Sequence, residues 1–300
     1  MPQKTLRSAV GCSGIGLHTG AKVALELHPA PVDRGVVFRR LDLEGPGAMI
    51  PAHVDQVRTS ELCTEIANAA GVSIKTIEHL VAAFAGLGID NVRVDLDGPE
   101  VPAMDGSAAP FVQLIERAGI LEQAAPRRYI RVLRPIRIGD ARRFAELAPA
   151  ETFRIGFEID FPNSPVGEQA IAFDLDYDIF KAELGPARTF GFTRDLEKLW
   201  SSGLAKGGSL ANAVVVGDDG VLNEEGLRFA DEFVRHKALD ALGDLYLAGA
   251  PILGRFHGTQ SGHAMHARLL QALFAEPSAW RVEVLPEAEA EAWPRRVAAL

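Results

Sequence analysis

The chain of 300 residues is 47% hydrophobic and 24% charged, with a formal net charge of −9. This is the make-up of an ordinary globular protein with room for two modest domains or one large one. The acidic balance argues against nucleic acid, whose phosphates need a basic face, and two cysteines, Cys12 and Cys63, leave no disulfide framework, as in a reducing compartment.

Residues 1–10 carry charge but no apolar core followed by a cleavage site, so no signal peptide is expected. The glycines of Gly14-Ile-Gly-Leu-His18-Thr-Gly20 follow no strand-to-helix pattern and read as a turn, not a phosphate loop. Val23-Ala-Leu-Glu-Leu27 alternates and Gly35-Val-Val-Phe-Arg-Arg40 follows Pro-rich turn signals; together they predict a hairpin. Residues 51–70 read as an insertion, in which Cys63 is a small apolar filler. A helix follows that Thr76 would cap and Gly86 and Gly88 would stop. A strand over 91–96 and a helix over 109–119 complete the first half. The apolar run 80–89 is far short of the ~20 residues needed to span a bilayer, so a cytoplasmic protein without a membrane anchor is expected.

After Glu122-Gln-Ala-Ala-Pro126 the pattern restarts, with three strands at 129–133, 143–147 and 153–159. A second insertion, 167–204, holds a strand at 170–175 and a helix at 194–202. Its Thr193, Leu196, Leu199 and Trp200, with Leu210 beyond it, would either line an apolar channel or pack a small subdomain. A helix around His236, a strand at 252–257 and a helix at 264–275 close the chain. Strands, helix, strand, helix in each half predict an α+β fold of two similar domains, 1–125 and 126–300. Each would be a mixed or antiparallel sheet packed with helices, a duplicated α+β sandwich with a small insertion in each domain.

His236, Asp240 and Asp244 are four residues apart, which stacks them on one helix face. An imidazole and a carboxylate at i and i+4 are a ready pair of zinc ligands, and equally a structural ion pair. Lys237 stands beside them, where a cation can meet an anionic substrate. His79 would complete two imidazoles and one carboxylate, the open three-ligand set of a catalytic metal with a position left for water. Zn2+ and Fe2+ both suit those ligands. Glu78, next to a ligand, reads either as a helix-dipole carboxylate or as a general base. His263 follows a glycine-rich turn, as a helix cap or as a general acid and oxyanion stabiliser. Asp244 could hold that imidazole protonated, against the charge of a metal.

A run of blocks in order carries a family resemblance. They are Gly14-Ile-Gly-Leu-His18-Thr-Gly, Glu61-Leu62-Cys63-Thr64, Thr76-Ile-Glu78-His79-Leu, Gly86-Leu-Gly-Ile-Asp-Asn91, Pro102-Ala-Met-Asp105-Gly-Ser-Ala-Ala-Pro110, Ala187-Arg-Thr189-Phe190-Gly-Phe192, Gly207-Gly-Ser, Leu222-Asn-Glu-Glu-Gly-Leu-Arg-Phe229, the His236–Asp244 helix and Ser261-Gly-His263. Over nearly its whole length the chain resembles the UDP-3-O-acyl-N-acetylglucosamine deacetylases, the zinc amidases of lipid A biosynthesis. The resemblance implies zinc on His79, His236 and Asp240, Glu78 as base, His263 positioned by Asp244 as acid, and Thr189 as a further donor to the tetrahedral intermediate. It also implies substrate contacts at His18, Leu62, Cys63, Phe190, Phe192, Leu210 and Lys237, and an acyl chain held by the second insertion. The substrate would be a small UDP-acyl-sugar and the protein a monomer. Two departures stand out. Met265-His266-Ala267 replaces the usual asparagines, which is expected to change only a peripheral contact. Leu210 and Asn212 follow Gly207-Gly208 where the family varies. The rival readings are a zinc hydrolase of another acylated amino sugar and a non-catalytic metal-stabilised binding protein. A structural zinc usually takes four ligands, often cysteines, so three ligands beside a spare carboxylate favour catalysis.

Overall fold

The computed structural model describes residues 1–58 and 62–285. Glu61 of the 61–64 block, part of the 51–70 stretch and the last fifteen residues of the second half lie outside that range. The first half runs through strands β1 (Pro2–Leu6), β2 (Val10–Ile15), β3 (Lys22–Pro29), β4 (Val36–Arg40), β5 (Met49–Pro51), β6 (Val57–Arg58), β7 (Glu65–Ala67) and β8 (Ser73–Ile74). Helix α1 (Glu78–Leu87), strand β9 (Val92–Leu96) and helix α2 (Ala109–Ala118) follow, then β10 (Ile120–Pro126), which pairs back onto β1. The second half holds β11 (Tyr129–Val132), β12 (Ile136–Gly139), β13 (Phe144–Ala148), β14 (Phe153–Phe161), β15 (Gly167–Asp174), α3 (Tyr177–Ile179), β16 (Phe190–Phe192), α4 (Leu196–Ser201) and β17 (Val214–Val216). It ends with α5 (Glu232–Tyr246), β18 (Ile252–Thr259), α6 (His263–Ala275) and β19 (Trp280–Glu283).

The fold is mixed α+β, and its two main sheets repeat one topology. In the first, β9 lies between β3 (antiparallel) and β4 (parallel), with β2 and β5 outside them. In the second, β18 lies between β13 (antiparallel) and β14 (parallel), with β12 and β15 outside, and the start of β18 also carries β11 (parallel) with β19 beyond it, two strands that the first sheet lacks among the described residues. A helix precedes each central strand and another follows it. Val92, Val94 and Leu96 of β9 are fully buried, and a strand that apolar needs a neighbour on each edge. That corrects the predicted hairpin: β3 and β4 do not pair with each other, because β9 inserts between them. It also moves the start of the second insertion. Gly167–Asp174 alternates in burial as the edge strand β15, paired with β14 along its length. Strand β12 adds an edge that the sequence reading passed over.

Helices α1 and α5 pack against each other between the sheets, within one continuous apolar core. Their approach depends on Gly243: a Cβ there would lie 2.2 Å from the carbonyl oxygen of Glu78. The start of α1 also differs from expectation. Thr76 is not its cap; it takes a left-handed backbone (φ 57°) and donates its hydroxyl to Glu100 at 2.8 Å. Ile77 is the N-cap residue, with no side-chain cap bond. At the far end Gly88 (φ 70°) stops the helix as expected, whereas Gly86 stays within it, pressed against Phe180. Among the described residues, no helix is long and apolar enough to cross a membrane.

Candidate active site

The approach of α1 to α5 sets Glu78 and His79 beside His236, Asp240 and Asp244, all buried. His79 Nε2 lies 3.6 Å and His236 Nε2 3.3 Å from Asp240 Oδ1. The two rings stand nearly perpendicular, with centroids 4.9 Å apart. His236 Nδ1 lies 3.0 Å from the Ala187 carbonyl. That oxygen only accepts, so Nδ1 carries the proton and the Nε2 lone pair faces Asp240. Burial pushes His236 down to about 4, keeping it neutral.

Asp240 Oδ1 is buried with no hydrogen-bond partner among the described residues, an arrangement that costs energy unless a cation sits there. Burial opposes ionisation of Asp240, but His236 and Lys237 hold its carboxyl well below the usual range. His79 shows the same demand: burial disfavours its charged form, yet Asp240 and Glu78 outweigh burial and raise its pKa. A proton there answers the charge that a metal would answer. His79, His236 and Asp240 therefore fit a metal ion, each offering one ligand atom. Lys237 Nζ takes the other oxygen of Asp240 at 2.9 Å.

Two further buried titratable groups, Glu78 and His263, flank this trio. Burial raises the pKa of Glu78, with His263 and His79 opposing. Its Oε2 accepts the Thr64 N–H at 3.0 Å, and its Oε1 lies 4.0 Å from His263 Nε2. The same His263 nitrogen is 3.9 Å from Asp240 Oδ2. On the other side of the ring, His263 Nδ1 lies 2.8 Å from Asp244 Oδ2. Burial lowers the pKa of His263, but Asp244, Glu78 and Asp240 outweigh it and push it up to about 9. His263 opens α6 behind Gly262, so it stands in the first turn, as the glycine-rich turn implies.

Thr64 received no role from the sequence, yet it ties Glu78 to His263. Its N–H holds Glu78, and its hydroxyl reaches Asp244 Oδ1 and lies 3.1 Å from His263 Nδ1. His266, expected to be peripheral, is buried with its Nδ1 2.7 Å from Asp244 Oδ2. One helical turn past His263 is the signal that could have found it, since i and i+3 share a face. Arg188 and Glu232 form a buried pair, with Nε donating to Oε1 at 2.8 Å and the Arg188 N–H to the same oxygen at 2.9 Å. That pair fixes the 187–189 segment whose carbonyl orients His236.

The remaining candidates spread outward. Phe190 packs on Phe233, with centroids 4.9 Å apart, and lies 6.4 Å from the His236 ring. Phe192 packs on Phe161. Thr189, half-buried beside them, is anchored through its N–H to Gly106 at 2.8 Å. Cys63, Thr64 and His263 line one small cavity of about 60 Å³. His18 is buried in a loop wrapped on Glu100, which accepts the N–H groups of His18 and Thr19 at 2.8 Å. Neither ring nitrogen of His18 finds a partner among the described residues. Leu62 and Leu210 are exposed, at 45% and 48%.

A buried carboxyl and imidazole beside three side chains that fit a metal ion have the make-up of a metal-dependent hydrolase centre. The sequence profile of the UDP-3-O-acyl N-acetylglycosamine deacetylases matches residues 3–275, and the chain belongs to that family. It is 49% identical over 292 residues to the UDP-3-O-acyl-N-acetylglucosamine deacetylase of Phenylobacterium zucineum (strain HLK1), covering 97% of this chain and 100% of that one. The enzymes of the same name from Shewanella sp. (strain W3-18-1) and Shewanella baltica (strain OS155 / ATCC BAA-1091) are each 49% identical over 282 residues, covering 93% of this chain and 92% of theirs.

Proposed function

We propose a division of labour within the family reaction, in which this hydrolase removes acetate from UDP-3-O-acyl-N-acetylglucosamine in lipid A biosynthesis. His79, His236 and Asp240 would hold zinc, with Fe2+ the alternative in the cell. When bound, the ion supplies Lewis acidity toward the acetamide carbonyl and the attacking water.

The chain's own groups move the protons. Glu78 Oε1 removes the proton from water as its oxygen attacks the carbonyl carbon. The raised pKa of Glu78 brings its basicity nearer to neutral pH, where a general base works best. His263 Nε2–H stabilises the developing oxyanion, and as the C–N bond breaks the same group gives its proton to the departing sugar nitrogen. Thr189 adds a donor to that oxyanion. Lys237 meets the anionic part of the substrate and Phe190 stacks on the sugar, with His18, Leu62, Cys63 and Phe192 contributing at the margin.

The 3-O-acyl chain would run along α4 and Leu210. Helix α4 has no buried residue, and Trp200 is 57% exposed, so this segment offers apolar surface that the fold leaves uncovered. We further propose that the protein is a cytoplasmic monomer, divided near residue 125.

The observation that carries this reading is the convergence of Glu78 Oε1 and His263 Nε2, 4.0 Å apart, beside an Asp240 oxygen that has no hydrogen bond among the described residues. Acetate release from UDP-3-O-acyl-N-acetylglucosamine, with metal content measured on the same sample, tests it. No release by stoichiometrically loaded protein would leave a metal-stabilised binding protein. Equal turnover of substrates with shortened 3-O-acyl chains would remove the acyl channel.

A further inference from the structure

Asp244 carries two imidazoles, and the mechanism above uses only one. His266 Nδ1 lies 2.7 Å from the same oxygen, Oδ2, that receives His263 Nδ1 at 2.8 Å. The His266 ring is fully buried and meets Phe157 and Phe256 edge-on. Its Nε2 lies 2.9 Å from Ser261 Oγ. A carboxylate only accepts, so His266 Nδ1 must carry a proton. Burial disfavours a charge on the ring, so Nε2 is an acceptor and the Ser261 hydroxyl its donor. The second oxygen, Asp244 Oδ1, is held by the Thr64 hydroxyl. Both oxygens of Asp244 and both ring nitrogens of His266 are thus held, which makes this part of the network rigid.

We propose that His266 is a positioning residue for the deacetylation. The sequence Ser261–His266–Asp244 fixes the plane of the carboxylate. Through it, the Nδ1–H of the protonated His263 ring is held, and its Nε2–H is aimed at Glu78 and Asp240. Without His266, Oδ2 keeps a single donor and the carboxylate is free to turn, so the imidazole that must meet the reacting atoms loses its orientation. The inference rests on the reading of His263 as the proton donor.

The test compares His266→Leu with His266→Asn, whose Nδ2–H reaches the place of Nδ1–H. Both are checked for cooperative melting and metal content. For His266→Leu we expect kcat to fall roughly 10- to 100-fold, as for other partners that orient a site ligand, with KM unchanged and most of kcat restored in His266→Asn. Nitrogen-15 spectra of histidine-labelled wild-type protein should show His266 as the neutral Nδ1–H tautomer. A wild-type His266 protonated on Nε2 alone overturns the proposal without any variant. So does full kcat in folded His266→Leu, or an equal loss in both variants. Loss of one metal equivalent with His266 would overturn it too, because Asp244, His263 and His266 would then be ligands of a second ion. Wild-type turnover by His263→Gln would instead remove the role of His263, and the reason to position it with it, a failure that the His266 variants do not mimic.

Discussion

Gly243 lies face to face with the carbonyl of Glu78, where a Cβ would come within 2.2 Å of the oxygen and 3.2 Å of the Ala82 nitrogen. The obstacle is backbone, so it has no rotamer to yield. Gly243→Ala must push α1 off α5, and overpacking of this kind costs about 1–3 kcal/mol. It also separates His79 from His236 and Asp240. Denaturant melts with and without zinc should show lower stability and a smaller gain from the metal. A variant stabilised by metal as strongly as wild type would mean that the helix approach does not set the ligand spacing.

His79→Ala, His236→Ala and Asp240→Ala should each lose tightly bound metal, while Glu78→Ala should keep it and lose activity by roughly 10²–10⁴. Metal analysis after chelator challenge, followed by turnover of the reloaded proteins, separates the two classes. A ligand variant that retained stoichiometric metal would leave the set. Near-normal turnover by loaded Glu78→Ala would end its role as base.

How far could this be read from the sequence? The α5 side was legible because His236, Asp240 and Asp244 obey helical spacing, and local periodicity is written in one segment. Glu78, His79 and His263 were read from ligand and acid–base chemistry with bland alternatives left open, the resemblance favoured the site, and the structure brings them together. What stayed hidden depends on distant contacts. Nothing around Thr76 reveals that its hydroxyl turns to Glu100 instead of capping α1. β3 and β4 read as a hairpin because strand order is a long-range property, settled by the more deeply buried β9. His266 looked peripheral because only packing of α6 on α5 shows that it shares Asp244 with His263. The repeat of strand order between halves confirms the rhythm seen in sequence, although β15 belongs to the sheet and not to an insertion.

The buried pair Arg188–Glu232 gives a stability prediction with a functional echo. Glu232 is fully buried and accepts from Arg188 three times and from the Arg228 N–H at 2.6 Å. Glu232→Ala leaves the buried Arg188 guanidinium with only Glu225 and the Gly226 carbonyl, and breaking a buried pair typically costs about 3–5 kcal/mol. It also frees the Ala187 carbonyl that sets the His236 tautomer. Thermal melts should fall well below wild type, and zinc affinity should weaken although no ligand has changed. Unaltered affinity in a folded Glu232 variant would show that the 187–189 segment is held by other contacts.

The pH dependence follows from the Asp244–His263 pair. The imidazole is raised from 6.5 to about 9, so the stabilisation it gains from Asp244 is fully present below 6.5 and is lost as pH rises through about 9. If catalysis needs the protonated ring, kcat/KM should fall along that same alkaline limb. A nearby divalent cation opposes protonation, which places the limb of the loaded enzyme below the value for the ring with its carboxylates alone. Asp244→Asn removes the strongest raising influence and should move the limb further down, with the acidic limb nearly fixed because Glu78 and the metal ligands are untouched. The limbs are macroscopic, shared among coupled groups, so the decisive comparison is between variants. Profiles of metal-loaded wild type, Asp244→Asn and His263→Gln make it. An alkaline limb that survives unchanged in His263→Gln belongs to another group, Lys237 being the nearest cation to Asp240, and the proton donor would have to be sought there.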